Sequence, residues 1–218
     1  MLGGITPSVA ESFTKTLLST EVPNSQVPAL DVDIDEIRET FETNLFAVMR
    51  MCQAFAPLLI EAKGTIVQIG SLAGVMPYAF GSVYNASKAA LHSYSDTLRL
   101  ELAPFDVKVV TIVTGGVQSN IARTHRSLPE GSRYAVLAKE YEERQTHSQA
   151  NAVSNEDYAR RVVAQVFGNP SKTHVWEGGK SWLVWFVVTF LPRSTLDVVM
   201  TRMFKLWKLR GVNGSKLE

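Results

Sequence analysis

The chain is 218 residues long and 45% hydrophobic, enough to bury the core of one sizeable domain and giving no reason to expect two. Its 22 Lys and Arg nearly cancel its 21 Asp and Glu, and the net charge of +1 offers no electrostatic footprint for nucleic acid. A single cysteine, Cys52, excludes an internal disulfide framework and suits a reducing, intracellular setting, and no Cys/His cluster has metal-ligand spacing.

Residues 1–27 hold no apolar run of signal-peptide length and include Glu11 and Glu21, so neither secretion nor organellar import is indicated. Lacking periodicity, residues 1–30 read as an irregular N-terminal segment. From Asp33 or Asp35, either a reasonable N-cap, a helix is predicted to about Ala62, with Ile34, Ile37, Phe41, Leu45, Val48, Cys52, Phe55 and Leu59 on one face. Pro57 should bend it, and Lys63-Gly64 closes it. GTIVQIG (64–70) then reads as a buried strand of a parallel sheet.

The turn-rich SLAGVMPYAFG leads into a second helix, from about Ser82 to Ala103 and ended by Pro104. VKVVTIV (107–113) is the next buried strand. Thr114-Gly115-Gly116 follows, then an irregular segment of about 30 residues, a helix from about Asn155 to Phe167 and a short strand, THVWEG (173–178). Helices alternating with apolar strands predict an α/β fold with a parallel sheet.

In such a sheet ligands sit outside the carboxyl ends of the strands, where Ser71 lies. The following helix carries YNASK, with Tyr84 and Lys88 at i and i+4 on one face and small residues around them. Asn44 interrupts the apolar face of the first helix and should point inward, needing a hydrogen-bond partner. No Gly-x-Ser-x-Gly elbow surrounds Ser71, which disfavours a serine hydrolase. His92, His125, His147 and His174 are scattered and read as structural or solvated.

Asn44, Ser71, Tyr84 and Lys88, taken in order and with thirteen residues from Ser71 to Tyr84, resemble the short-chain dehydrogenase/reductase family from about residue 28 onward. The resemblance implies a Rossmann-type doubly wound sheet that binds NADP(H), in preference to NAD(H), and a catalytic tetrad. Tyr84 would be the acid/base, and Ser71 would hydrogen-bond the substrate oxygen. Lys88 would lower the Tyr84 pKa and hold the nicotinamide ribose, and Asn44 would place a relaying water. Thr114 stands where the family more often has Pro. Thr114, Gly115, Val117 and Ser119 would border the nicotinamide, so the implied cofactor-binding set is these four with Tyr84 and Lys88.

The chemistry explains the residue types. A phenol of pKa about 10 needs roughly 4 kcal/mol of preferential stabilisation to titrate near neutrality, and an ammonium about 4 Å away supplies on the order of that at an effective dielectric near 20.

What the resemblance lacks is the glycine-rich turn that brings backbone N–H groups onto a pyrophosphate. Gly3-Gly4 is an isolated pair, and the other glycine pairs come too late. An N-terminally truncated Rossmann domain over 31–180 is therefore expected, binding cofactor weakly or not at all; tight NADPH binding by calorimetry would refute this. The apolar strand 64–70 would be left as a bare edge. Either the sequence is a fragment, or residues 1–27 or a second chain cover that edge.

The loop after Ser119 carries Arg123, His125, Arg126 and Arg133, either a solvated basic loop or a grip for an anionic head group. Residues 181–218 form a C-terminal extension. SWLVWFVVTFLP is too short to span a bilayer, and Leu196, Val199, Met200, Met203, Phe204 and Trp207 share one face. That amphipathic pattern fits either a helix on a membrane surface over 181–210 or one packed on its own domain or a partner.

With the TGGVQSN variant, the tail resembles the 1-acyl-dihydroxyacetone-phosphate reductases of fungal type within the family. This implies NADPH-dependent reduction of a lipophilic ketone, a homodimer, and a cytoplasmic site or a peripheral one at the endoplasmic reticulum or lipid droplets. The alternative is a redox-silent binding, dimer-forming or membrane-surface protein.

Overall fold

The computed structural model describes residues 26–118, 126–147, 149–150, 152–169 and 171–214, together with 16–19; for 16–19 and 211–214 only the backbone is described. Four parallel strands form one sheet in the order β1 (Thr16–Ser19), β2 (Thr65–Ile69), β3 (Lys108–Thr114), β4 (His174–Glu177). Helices cover both faces, so the expected doubly wound α/β architecture is present. Alternation along the strands explains the two layers. Ile66, Val107 and Val109 face one side, where they pack with Leu45, Cys52, Leu59 and Leu91 from the helices before β2 and β3. Val67, Val110 and Ile112 face the other, against Val162 and Val166 of the helix before β4.

β1 corrects the expectation of an irregular segment over 1–30. It pairs with β2 in the register Thr16↔Thr65 to Ser19↔Gln68, so β2 is an interior strand, as the alternative of an edge covered by residues 1–27 requires. Four residues, TLLS, are too few to show a periodicity. The strand is defined by main-chain pairing with β2, which composition does not encode.

The predicted 33–62 helix is present in three parts: α1 (Ile34–Phe41), a π-helical turn (Glu42–Phe46) and α2 (Ala47–Ala62). Asp33 caps α1 by accepting from the N–H of Asp35 at 2.8 Å. The helix runs on through Pro57, and the change in hydrogen bonding comes at the π-turn, which holds Asn44. Lys63 ends α2 in the left-handed conformation, and Gly64 N–H returns to Leu59 O at 2.8 Å.

α3 (Ser82–Leu102) buries Tyr84, Ser87, Lys88, Leu91, His92 and Ser95 along one stripe. A further helix, α4 (Ala138–His147), replaces part of the irregular stretch expected after Gly116. Its buried residues are Glu140, Tyr141, Arg144 and Gln145, so its inner face carries almost no apolar periodicity to read. α5 (Asn155–Gly168) lies where predicted, with Ser154 Oγ accepting from Asp157 N–H at 3.1 Å.

The C-terminal extension divides into α6 (Ser181–Phe190), α7 (Ser194–Met203) and a 3-10 segment (Leu206–Gly214). The second half packs on its own domain. Met200 and Phe204 join Phe80, Leu137 and Tyr141 in an aromatic cluster. Lys205 and Lys208 reach the buried carboxylate of Glu140 at 3.1 and 2.7 Å. The Lys208 hydrogen bond, with Lys205 beside it, holds the Glu140 pKa down to about 2. Of the two readings of the amphipathic face, packing on its own domain describes Leu196, Met200 and Phe204, which are buried, while Val199, Met203 and Trp207 are exposed. α6 presents an exposed apolar surface, and Val198 of the second half is exposed as well.

Candidate active site

Tyr84 and Lys88 stand one turn apart in the first half of α3, at the carboxyl end of the sheet, and are 6% and 1% exposed. The Lys88 ammonium lies 5.8 Å from the centre of the Tyr84 ring and donates to Ile69 O at 3.0 Å. Both side chains share the inner face of the helix, as the i, i+4 spacing requires. A buried cation close to a buried phenol is the arrangement that favours phenolate.

Asn44 is 1% exposed and donates from Nδ2 to Ser87 Oγ at 3.2 Å, while Ser87 donates to Tyr84 O at 2.9 Å. The π-turn is thereby tied to the residue before Lys88. Asn44 Oδ1 is a buried acceptor with no donor among the described residues. π-turns of this kind recur at functional sites.

Ser71 begins the turn after β2. Its Oγ accepts from Ala73 N–H at 3.1 Å, capping the 3-10 turn Leu72–Gly74, which packs on α3. Its own N–H donates to His92 Nε2 at 3.1 Å. His92 is buried, and its imidazole is pushed down to about pKa 4 by desolvation first and by the Lys88 charge second. A neutral ring with Nε2 accepting carries its proton on Nδ1.

The strand-end set is only partly where expected. Thr114 follows the alternation of Val110 and Ile112, so its hydroxyl faces α5 and shares a hydrogen bond with Tyr158 Oη at 2.7 Å. This is a correction: the Thr114 side chain is not aimed at the site. Gly115 N–H donates to Glu177 O at 2.8 Å and Gly116 N–H to Gly179 O at 3.0 Å, so both main-chain donors are used within the sheet. Val117 is half-buried, bridges to Val153 and accepts from Gln149. Ser119, Arg123 and His125 lie outside the described residues. Arg126 is ion-paired with Glu36, which engages it within the fold.

Of the tetrad positions, Tyr84 and Lys88 share the buried face of α3, Asn44 is tied to that helix through Ser87, and Ser71 begins the turn after β2. A family model described as short chain dehydrogenase matches residues 21–129. The chain belongs to the short-chain dehydrogenase family. It is 42% identical over 192 residues to Short-chain dehydrogenase fogD of Aspergillus ruber, covering 87% of this chain and 67% of that one. It is 38% identical over 192 residues to the NADPH-dependent 1-acyldihydroxyacetone phosphate reductase of Saccharomyces cerevisiae, covering 87% and 64%. The crystal structure of a short-chain dehydrogenase from Streptomyces avermitilis superposes with a TM-score of 0.69 at 20% identity over 94% of this chain and 76% of that one, a likeness of fold.

As a short-chain dehydrogenase the protein is an oxidoreductase with a nicotinamide cofactor. The residue types at its carboxyl edge fit the nicotinamide-ribose end, with the Lys88 ammonium 5.8 Å from the centre of the Tyr84 ring. The sequence after β1, Thr20-Glu21-Val22-Pro23-Asn24-Ser25, contains no glycine that would open a pyrophosphate cradle.

Two residues beside this dehydrogenase site were not assigned to it from the sequence. His92, read as structural or solvated, is buried and bonded to Ser71 N–H, and the i+4 step from Lys88 was the signal for its place. Arg144 is the other. It is 3% exposed, stacks 3.9 Å over the Tyr78 ring and donates from Nε to Ala79 O at 3.2 Å. Desolvation lowers its pKa to about 10, opposed by attraction to the phenols of Tyr78, Tyr84 and Tyr141. It is a guanidinium buried among phenols.

Proposed function

We propose that this short-chain dehydrogenase uses NADPH to reduce a ketone on a lipophilic substrate. Tyr84 donates the proton, Ser71 holds the carbonyl oxygen as it becomes alkoxide-like, Lys88 favours the phenolate left behind, and Asn44 connects the pair to α1–α2. The bound nicotinamide supplies the hydride. The 5.8 Å approach of Lys88 Nζ to the Tyr84 ring on a buried helix face is the observation that carries the proton-transfer role.

The lipophilic character of the substrate is supported by a cavity of about 530 Å3 in front of the α3 N-terminus, lined by Tyr78, Phe80, Tyr134, Met200, Leu206 and Leu209 among others. The preference for NADPH and for an acyl-dihydroxyacetone phosphate or similar ketone is supported by the printed activity of the Saccharomyces cerevisiae relative. Steady-state assays of NADPH oxidation test both. Hexadecanoyl-dihydroxyacetone phosphate should give a kcat/KM at least about tenfold above that for dihydroxyacetone phosphate, the return expected for burying several methylenes. Equal values, or NADH used as well as NADPH, would remove the substrate class or the cofactor preference.

A homodimer through the outer faces of α2 and α3 is supported by exposed Met51, Leu58 and Leu100. Peripheral membrane attachment, on endoplasmic reticulum or lipid droplets, is supported by α6, where Trp182, Trp185, Phe186 and Phe190 are exposed between Lys180 and Arg193. Flotation with vesicles of phosphatidylcholine and phosphatidylserine should carry most of the protein, and Trp182→Ser with Trp185→Ser should cut the floated fraction at least fivefold. An unchanged fraction would exclude α6 as the anchor.

A further inference from the structure

The geometry points to His92 as a positioning residue for Ser71, its neutral Nε2 holding the Ser71 main chain so that the hydroxyl faces the reacting oxygen. This rests on the proposed reading of Ser71 as the residue that meets that oxygen.

Ser71 has left β2, and among the described residues its N–H has no strand partner. The His92 ring supplies the acceptor from a different element, at 3.1 Å. One turn earlier on the same helix, Lys88 donates to Ile69 O at 3.0 Å. Two side chains four residues apart on α3 therefore grip the chain on either side of Gly70, at a carbonyl and at an N–H.

The space around the ring is closed by backbone. A Cβ on Gly70 would stand 2.1 Å from His92 Nε2, and one on Gly74 would stand 2.8 Å from His92 Cε1. The imidazole thus fills a slot that opens only because both flanking residues of the Ser71 turn are glycines. A side chain that merely occupied the core would not need an acceptor at this atom, and a protonated ring would lose it. Lys88 and Asp96 face the ring from α3 and His174 from β4; the desolvation and the Lys88 charge together keep it neutral.

An activity-independent measurement comes first. In the natural protein labelled with 15N-histidine, His92 should show an unprotonated Nε2 and a proton on Nδ1 at pH 7, and the Ser71 amide should be protected from hydrogen exchange. His92→Leu should speed exchange of the Ser71 amide by at least about tenfold while the Val67 and Val110 amides keep their protection; His92→Gln, which returns an acceptor at the same reach, should restore it. A proton on Nε2, or unchanged Ser71 exchange in His92→Leu, would overturn the assignment.

Kinetics with NADPH and 2-dodecanone separate this role from that of Ser71. His92→Leu should lower kcat about 100-fold with KM within threefold, the scale of a misplaced catalytic group, and should cost nothing further in a Ser71→Ala background. Loss in Ser71→Ala with none in His92→Leu would sink the positioning role alone. Full activity in Ser71→Ala would sink the reading of Ser71. The pH dependence has a defined sign. Because the folded ring titrates near 4 and a free histidine near 6.5, its contribution to stability is full above about pH 6.5 and drains away as pH falls towards 4. The stability difference between the natural protein and His92→Gln should narrow over that window, and a difference flat with pH would count against a neutral ring.

Discussion

Tyr84→Phe is expected to lower kcat by about 10³-fold while leaving the fold intact. On the proposed reading the phenol hands a proton to an alkoxide-like oxygen beside Lys88, and general acid catalysis of this kind contributes about 10²–10⁴-fold. The substitution removes one oxygen from a side chain that is 6% exposed, so packing changes little and circular dichroism and thermal midpoint should be close to those of the natural protein. Lys88→Met is a different loss. It takes away the cation 5.8 Å from the ring and the hydrogen bond to Ile69 O, so it should both lower turnover and move the titrating limb of the pH–rate profile upward. Retention of more than a tenth of the activity by Tyr84→Phe would remove the phenol from the reaction.

The parts of this fold that were legible in the sequence are those in which burial writes a period. The interior strands β2 and β3 are short apolar runs because both faces are covered, and α2, α3 and α5 carry apolar stripes because one face is. The tetrad positions were read from their resemblance to the family's order and spacing, and the structure sets Tyr84 and Lys88 on one buried helix face. What was illegible was held by other means. β1 is defined by main-chain pairing, and α4 buries Glu140, Arg144 and Gln145, which pair with Lys205, Ala79 and Arg126 on other elements rather than with an apolar core.

The direction of the Thr114 side chain follows from alternation with Val110 and Ile112, which puts it on the α5 face. The π-turn at Asn44 falls between these cases. The sequence announced a polar residue pointing inward, and the structure adds that the backbone widens there to let it reach Ser87.

Gly115→Ala should be the most damaging single methyl group in the sheet. The ends of β3 and β4 approach backbone to backbone: Gly115 N–H donates to Glu177 O at 2.8 Å, and Gly179 N–H returns to Gly116 O at 2.8 Å. A Cβ on Gly115 would stand 2.3 Å from Gly179 O and 3.0 Å from Gly178 C. These are main-chain atoms, which cannot swing aside as the end of a long side chain could. Gly178 sits opposite with φ +99, a conformation that L side chains rarely adopt, so that strand cannot yield by exchanging its own residue either. Relief requires breaking the pairing that holds the strand ends together, at a cost of about 3 kcal/mol, which for a chain of this size lowers the melting temperature by about 9 °C. Gly168→Ala is the matching control. It adds the same methyl where nothing lies within 4 Å and φ is ordinary, so it should be neutral or raise stability by a few tenths of a kcal/mol through the unfolded chain. Thermal unfolding of the two variants decides the matter: equal melting temperatures would mean that the β3 and β4 ends do not meet as described, and the carboxyl edge that frames Tyr84 and Ser71 would have to be redrawn.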